Sequence, residues 1–219
     1  MSTPLDLRKL EKKTFRTIYE DGLLDIDIAG VVASMALMAF LPEEDAGRWL
    51  RYGLFFGGMI ASTLIYQLGK KFITGPRLGQ VVFGPARKRR GATLAAILGV
   101  IIVIQALVVL GSVVFWNNPG LAQRLGLAVS QPQQGKLLVA VIGALFVGPS
   151  MTLMAYFNDF PRGYYIAVLL SLGVFLLIWF RSPLMMLAAA VLIFIPGVVL
   201  FIRFLRKYPL PIDKAPHGE

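Results

Sequence analysis

Six apolar stretches, each about twenty residues long, constrain this chain more than any other feature of its sequence. Hydrocarbon holds no water to bind backbone amides, so a segment that crosses it must pair those amides internally as a helix. About twenty apolar residues are needed to cross. The sequence therefore predicts an all-α integral membrane protein, a bundle of about six transmembrane helices. The predicted spans are about 23–41, 50–68, 93–115, 136–157, 164–180 and 183–205.

Composition supports a membrane protein and narrows its chemistry. The chain is 57% hydrophobic and 16% charged, whereas about a quarter of a soluble domain is charged. It has no cysteine, which excludes disulfides, thiolate metal sites and cysteine nucleophiles. Its only histidine is His217, in the tail, and it carries no Walker, HExxH or GxSxG motif. We therefore expect no cofactor, no metal and no enzymatic activity, with a lipid-modifying enzyme the least supported function.

The placement of lysine and arginine predicts the orientation. If the N-terminus is cytoplasmic, the cytoplasmic segments hold 17 of the 22 basic residues. Loops rich in lysine and arginine stay in the cytoplasm, so both ends are expected inside. The tryptophans Trp49, Trp116 and Trp179 then fall at the outer interface, where amphipathic rings are favoured. Six tyrosines fall near the inner interface: Tyr19, Tyr66, Tyr156, Tyr164, Tyr165 and Tyr208.

Five segments follow from this topology. Residues 1–22 are expected to form an amphipathic helix on the inner leaflet, with Leu7, Leu10, Phe15 and Ile18 on its apolar side. A solvated helix is the alternative. Residues 23–68 form a transmembrane hairpin, 69–91 a basic cytoplasmic loop, 92–206 the remaining spans and 207–219 a cytoplasmic tail.

Four acidic residues lead into the first span: Glu20, Asp21, Asp25 and Asp27. One interpretation is a proton or cation site, because a carboxylate within a span is costly and therefore suggests a function. The other is pairing with the basic cytoplasmic loop, which the proximity to the interface favours. Asp25 and Asp27 are two residues apart and diverge by about 200° around a helix. The same-face pairs are Asp21 with Asp25 and Glu20 with Asp27.

The basic loop is the second candidate site. Arg77, Arg87, Lys88, Arg89 and Arg90 are predicted to bind anionic lipid of the inner leaflet or an acidic partner, at about 1 kcal/mol per cation. Fixing the topology is the simpler role for the same charges. The stretch 80–83 has strand-like composition, so we expect a short structured loop there. Nucleic acid is not an expected partner, because no recognition fold surrounds these cations.

Two motifs frame the first hairpin: Glu20-Asp21-Gly22-Leu23-Leu24-Asp25 before the first span, and Pro76-Arg77-x-Gly79-x-Val81-x-Phe83 after the second. Together they resemble an uncharacterised group of small prokaryotic polytopic membrane proteins. The resemblance covers about residues 18–90. It implies a multi-pass protein of the cytoplasmic (inner) membrane, in which the acidic segment and the basic loop belong to one structural unit. It implies no activity.

Small residues and prolines mark the candidate helix contacts. Gly53, Gly57 and Ala61 form a small-xxx-small stripe that allows another helix, in this chain or a partner, to approach closely. Gly148-Pro149 and Pro196-Gly197 are expected to kink or break the fourth and sixth spans. Gln105, Ser150 and Thr152 are the polar residues expected to share a seam with these kinks.

Two functions remain open. The first is a non-enzymatic scaffold or accessory subunit that binds lipid or a partner through its basic loop, in complex with a membrane protein or with itself. The second is a small ion-coupled transporter using Asp25 or Asp27 and the kinked spans. A substrate path usually needs several polar groups near the middle of the bilayer, and the sequence offers few. This scarcity favours the scaffold.

Overall fold

The computed structural model describes residues 17–41, 45–78, 85–118 and 132–209. Of these residues 91% are helical, and none of them lies in a strand. The predicted all-α class is confirmed. The elements, in chain order, are α1 (Leu23–Phe40), α2 (Asp45–Leu68), a π-helical turn (Gly69–Thr74), α3 (Gly75–Leu78), α4 (Pro85–Asn117), α5 (Pro132–Phe157), α6 (Arg162–Phe180) and α7 (Pro183–Lys207).

Five helices in the described part of the chain are long and apolar enough to cross a membrane: α1, α4, α5, α6 and α7. The sixth predicted span is the helix α2. It is 24 residues long, but it is less apolar than the other five. Arg48 and Arg51 in its first turns, and glycines and hydroxyl residues farther along, lower its mean hydropathy. Composition alone therefore identifies five spans where the apolar pattern predicted about six.

The helices extend beyond the apolar stretches. α4 begins at Pro85, a residue well suited to the first helical position, so the four basic residues 87–90 lie in its first turns and not in a loop. After α2, the chain stays helical through the π-helical turn and α3 as far as Leu78. The predicted strand-like stretch 80–83 and residues 1–16 of the predicted amphipathic helix lie outside the described residues.

The chain divides into two compact units, with boundaries between Val82 and Phe83 and between Met186 and Leu187. In unit 1, α1 and α2 pack as an antiparallel pair with glycine and serine at their contact. A Cβ placed on Gly30 would collide with Ser62, and one placed on Gly58 would lie 2.6 Å from the Ser34 Cβ. Because glycine has no side chain, the two backbones approach closely.

The start of α1 packs against α7, also within unit 1. Gly22 adopts a left-handed conformation with φ 71°, which turns the chain into α1. A side chain on Gly22 would meet the Gly197 carbonyl, and a Cβ on Gly197 would lie 3.0 Å from the Asp25 Cβ. Two glycines thus bring α1 and α7 into backbone contact.

In unit 2, α5 and α6 form a tight hairpin. Asp159 in the connection has φ 50°, and the amide of Phe160 donates to the Ala155 carbonyl at 2.9 Å. The Phe160 side chain is 2% exposed. A Cβ on Gly163 would lie 2.5 Å from that of Ala155, so the helices meet closely just after the turn.

Both proline-containing helices are continuous. α5 runs through Pro149 and α7 runs through Pro196, so neither span is split into half-helices. Each proline removes one backbone donor, and neighbouring helices and hydroxyl groups make this tolerable within a membrane.

Candidate functional site

Asp21 is the centre of a buried cluster in unit 1, defined by Asp21, Lys70 and Thr74. The Asp21 side chain is fully buried. One carboxylate oxygen accepts hydrogen bonds from Lys70 Nζ at 2.7 Å and from Thr74 Oγ1 at 2.7 Å. The other oxygen accepts from the Leu23 amide at 3.2 Å. Lys70 also donates to the Ile18 carbonyl. The carboxylate is therefore neutralised and hydrogen-bonded by groups from both ends of the α1–α2 hairpin.

The π-helical turn places the donors of this cluster. Lys70 and Thr74 are four residues apart and share a helical face, which the turn directs at Asp21. Gly69, at its start, is buried, and a Cβ there would lie 2.8 Å from a methyl carbon of Leu23. The absence of that Cβ lets the end of α2 approach the start of α1. The Lys70 ammonium also lies 5.8 Å from the Tyr19 ring and 5.6 Å from the Tyr66 ring.

The other three acidic residues have separate environments. Glu20 is exposed, and its carboxylate lies 3.7 Å from Lys207 Nζ at the end of α7. Asp25 is 2% exposed and lies against Gly197 of α7. Asp27 is only half-buried, and its backbone carbonyl accepts a hydrogen bond from Ser62 Oγ of α2 at 2.9 Å. The Asp25 side chain thus lies against α7, whereas the backbone carbonyl of Asp27 contacts α2.

Asp159 is the centre of a second cluster, in unit 2, defined by Asp159, Arg87 and Arg90. Its carboxylate accepts from Arg87 Nη1 at 2.8 Å and from Arg90 Nη1 at 3.3 Å. Arg90 also donates from Nη2 to the Tyr156 carbonyl at 2.8 Å, and its guanidinium lies 5.4 Å from the Tyr156 ring. Two of the predicted lipid-binding arginines therefore hold the start of α4 to the α5–α6 connection.

The neighbouring cations point elsewhere. Lys88 and Arg89 are exposed and, among the described residues, form no salt bridge. Arg77 is half-buried, and its Nη1 donates to the Ile73 carbonyl at 2.8 Å, one helical turn earlier. The predicted binding set Arg77, Arg87, Lys88, Arg89 and Arg90 therefore divides into cations used within the fold and cations facing outward.

The predicted glycine stripe faces away from the described chain. A Cβ on Gly53 or Gly57 would have nothing within 4 Å, and Ala61 is exposed. α2 contacts α1 through Gly58 and Ser62, each of which lies one residue after a stripe position. The stripe stays a prediction for contact with a second chain.

The glycine beside each proline is a helix contact point. A side chain on Gly148, next to Pro149, would collide with the Ser171 hydroxyl, and Gly197, next to Pro196, meets Asp25.

Part of the predicted polar seam is present in unit 2. Gln105 Nε2 donates to the Phe146 carbonyl at 3.3 Å, and Ser150 Oγ donates to the same carbonyl at 2.7 Å. Thr152 is exposed and does not share this contact.

Sequence reasoning missed Asp159 and Thr74. Asp159 is the only acidic residue in the short segment 158–163, which the predicted topology places on the same side as the basic loop, and that proximity was an available signal. Thr74 carried no such signal.

Among the described residues no group of three or more His, Asp or Glu side chains could hold a metal ion. Comparison of the chain with protein-family models, curated proteins and solved structures finds no match.

Proposed function

We propose that this protein is a non-enzymatic membrane scaffold or accessory subunit that binds anionic lipid headgroups through exposed cations at its cytoplasmic face. The proposal depends on a difference in burial and pairing between acidic and basic side chains. Asp21 and Asp159 are turned inward and paired. At the helix ends that are proposed to be cytoplasmic, five exposed basic residues form no salt bridge within the described chain: Lys71, Lys88, Arg89, Arg203 and Arg206. The exposed Arg181 lies at the opposite end of α6. Outward-facing cations next to apolar helices suit a negatively charged leaflet.

The proposed topology has six spans with both ends in the cytoplasm of a prokaryotic cell. The packing of α2 supports counting it as a span. α2 lies antiparallel to α1, from the contact of Gly69 with Leu23 to that of Gly58 with Ser34. These contacts run along the first part of α1, and α2 continues as one helix from Gly58 back to Asp45. With 24 residues in one helix, α2 is long enough to cross the bilayer beside α1, despite its lower hydropathy.

The test compares two double variants that remove the same charge. Lys88→Gln with Arg89→Gln removes exposed cations, whereas Arg87→Gln with Arg90→Gln removes cations that are both paired with Asp159. Dioleoylphosphatidylglycerol is titrated into each purified protein in neutral detergent at low salt, and the bound lipid is measured by native mass spectrometry. At about 1 kcal/mol per cation, the first variant should lose up to about 25-fold in affinity.

The second double variant should keep most of its lipid affinity and lose stability instead. Both proteins should converge with the wild type at high salt, because exposed charges are screened. Equal effects of the two double variants, or unchanged binding of the first at low salt, would contradict the proposal. Retained lipid binding together with loss of a co-purifying protein would instead make an acidic partner the ligand of these cations.

A small ion-coupled transporter is the second candidate, favoured by the position of Asp25. A carboxylate that is 2% exposed lies within a predicted span and against the proline-containing part of α7. Intramembrane carboxylates commonly mark proton or ion paths. Asp25→Asn should then abolish proton flux into proteoliposomes, measured with an entrapped pH dye under a potassium diffusion potential, while the variant stays folded. Wild-type vesicles no more permeable than empty ones would exclude this candidate.

A further inference from the structure

A groove lies between α5 and α6 within unit 2. Its volume is about 510 Å³. The walls are almost entirely apolar, with the hydroxyls of Thr152 and Ser171 as the polar exceptions. Ser171 is already engaged, because its Oγ donates to the Ala144 carbonyl at 3.3 Å. The principal wall residues are Val141, Leu145 and Thr152 on α5, and Val168, Leu172 and Phe175 on α6.

We propose that this groove binds the acyl chain of one phospholipid, whose phosphate is held by Lys136. The inference rests on the proposed membrane insertion of the chain. It adds a specific lipid site to the exposed cations that the proposed function uses, and it involves different residues.

The length of the groove fits one leaflet. From Val141 to Thr152, α5 rises by about 16 Å at 1.5 Å per residue. The hydrocarbon of one leaflet is about 15 Å thick, half of a bilayer core of about 30 Å. An extended acyl chain would therefore occupy the groove from the headgroup level to the bilayer centre. The proline-containing part of the helix, at Gly148 and Pro149, lies along this path.

The end of the groove near Phe175 carries the groups that a phospholipid headgroup requires. The Phe175 and Trp179 rings stack with centroids 6.1 Å apart, which continues the apolar wall of α6 beyond the groove. Lys136 Nζ lies 5.8 Å from the Trp179 ring, about 8 Å before Val141 along α5 at the same rise per residue. Arg181, which is exposed, ends α6 on the same side of the hairpin. A phosphate there would meet two cations beside an interfacial tryptophan.

A transmembrane helix of a partner or of a second copy is the competing occupant. A helix is about 10 Å wide with its side chains and would contact both rims of the groove over the whole height of the hairpin. A groove only as long as one leaflet favours a single lipid over a helix that spans both leaflets.

The experiment uses the full chain in neutral detergent with dioleoylphosphatidylglycerol, and it counts bound lipids by native mass spectrometry. Leu172→Trp fills the groove from a wall position that is half exposed, so the fold should tolerate it. Leu107→Trp on α4 is the matched control, because Leu107 is also an exposed leucine and lies outside the groove. We expect one tightly bound lipid in the wild type and in Leu107→Trp, and its loss in Leu172→Trp.

Lys136→Gln tests the headgroup contact without filling the groove and should weaken the tight site about fivefold. The Lys88→Gln, Arg89→Gln variant should leave this lipid bound, so failure of the proposed cytoplasmic lipid surface and failure of the groove are distinguishable. Retention of the tight lipid in Leu172→Trp, or its equal loss in Leu107→Trp, would overturn the inference. A wild-type dimer that Leu172→Trp dissociates, without bound lipid, would overturn it in favour of a second copy.

Discussion

Asp21 in unit 1 and Asp159 in unit 2 each bind cations from a distant part of the chain, but they differ in burial and in donors. The Asp21 side chain has no exposed surface and the Asp159 side chain is 8% exposed. Asp21 takes one ammonium, one hydroxyl and one amide, whereas Asp159 takes two guanidinium groups at the end of a helical hairpin. Both clusters fasten helices, yet only at Asp159 is one partner, Arg90, a third exposed.

The difference indicates how much each cluster should contribute to stability. Breaking a buried pair leaves the remaining charge without solvent, which costs far more than losing an exposed pair. Lys70 is 18% exposed and could not hydrate fully if Asp21 were lost. Arg90 can turn toward water. We therefore expect the Asp21 cluster to contribute more to the free energy of unfolding than the Asp159 cluster does.

The largest effect is expected for Asp21→Ala. Removing this carboxylate takes away the negative charge and the acceptor that Lys70 and Thr74 share, and should destabilise the fold by about 3–5 kcal/mol. Unfolding in mixed detergent micelles would measure the change. Glu20→Ala is the matched control, because its pair with Lys207 is exposed and screened by solvent and should contribute little. If Asp21→Ala and Glu20→Ala lost similar amounts of stability, burial of the ion pair would not explain the difference expected between the clusters.

Asp159→Asn should have an intermediate effect of about 1.5–3 kcal/mol, the range for hydrogen bonds to charged groups. A double-mutant cycle with Arg87→Gln isolates the pair, and the two changes should be non-additive by at least about 0.5 kcal/mol. The same unfolding measurement applies. If the two losses simply add, Arg87 and Asp159 do not act together and the fastening of α4 must be explained differently.

Gly197→Ala should have the smallest effect of the three, about 1–3 kcal/mol from overpacking against Asp25 and Ile26. The added methyl would lie 3.0 Å from the Asp25 Cβ and 3.2 Å from the Ile26 amide nitrogen, which is backbone and cannot turn aside. Gly53→Ala, with open space around it, should instead be neutral or stabilise α2 by up to about 1 kcal/mol. A Gly197→Ala protein as stable as Gly53→Ala would show that α1 and α7 can move apart.

The apolar pattern located the helices well because hydrocarbon imposes one solution on a long apolar segment. It missed their true ends. The run at about 93–115 belongs to the helix Pro85–Asn117, since no residue in Pro85–Arg90 stops a helix after its first position. The length of an apolar stretch reflects the thickness of the hydrocarbon that a helix can cross. It does not indicate at which residue the helix begins or ends.

The contacts were harder to predict than the helices. Gly57 and Gly58 differ by one position, about 100° around α2, and only Gly58 meets α1. In a membrane the packed and lipid-facing sides of a helix are both apolar, so composition does not fix the rotation. The acidic residues were expected to pair with basic ones, but Asp21 with Lys70 is a contact between residues far apart in sequence, and no local pattern specifies which cation is used.

The central claim is that these apolar helices cross a bilayer with Lys88 and Arg89 on the cytoplasmic side. α4 tests it most directly, because Lys88 and Asn117 are exposed near its two ends and about 44 Å apart at 1.5 Å per residue. The chain contains no cysteine, so Lys88→Cys and Asn117→Cys can be labelled singly with a membrane-impermeant maleimide. The account predicts that intact cells label only Asn117→Cys and inside-out vesicles label only Lys88→Cys. Labelling of both positions from one side would contradict it.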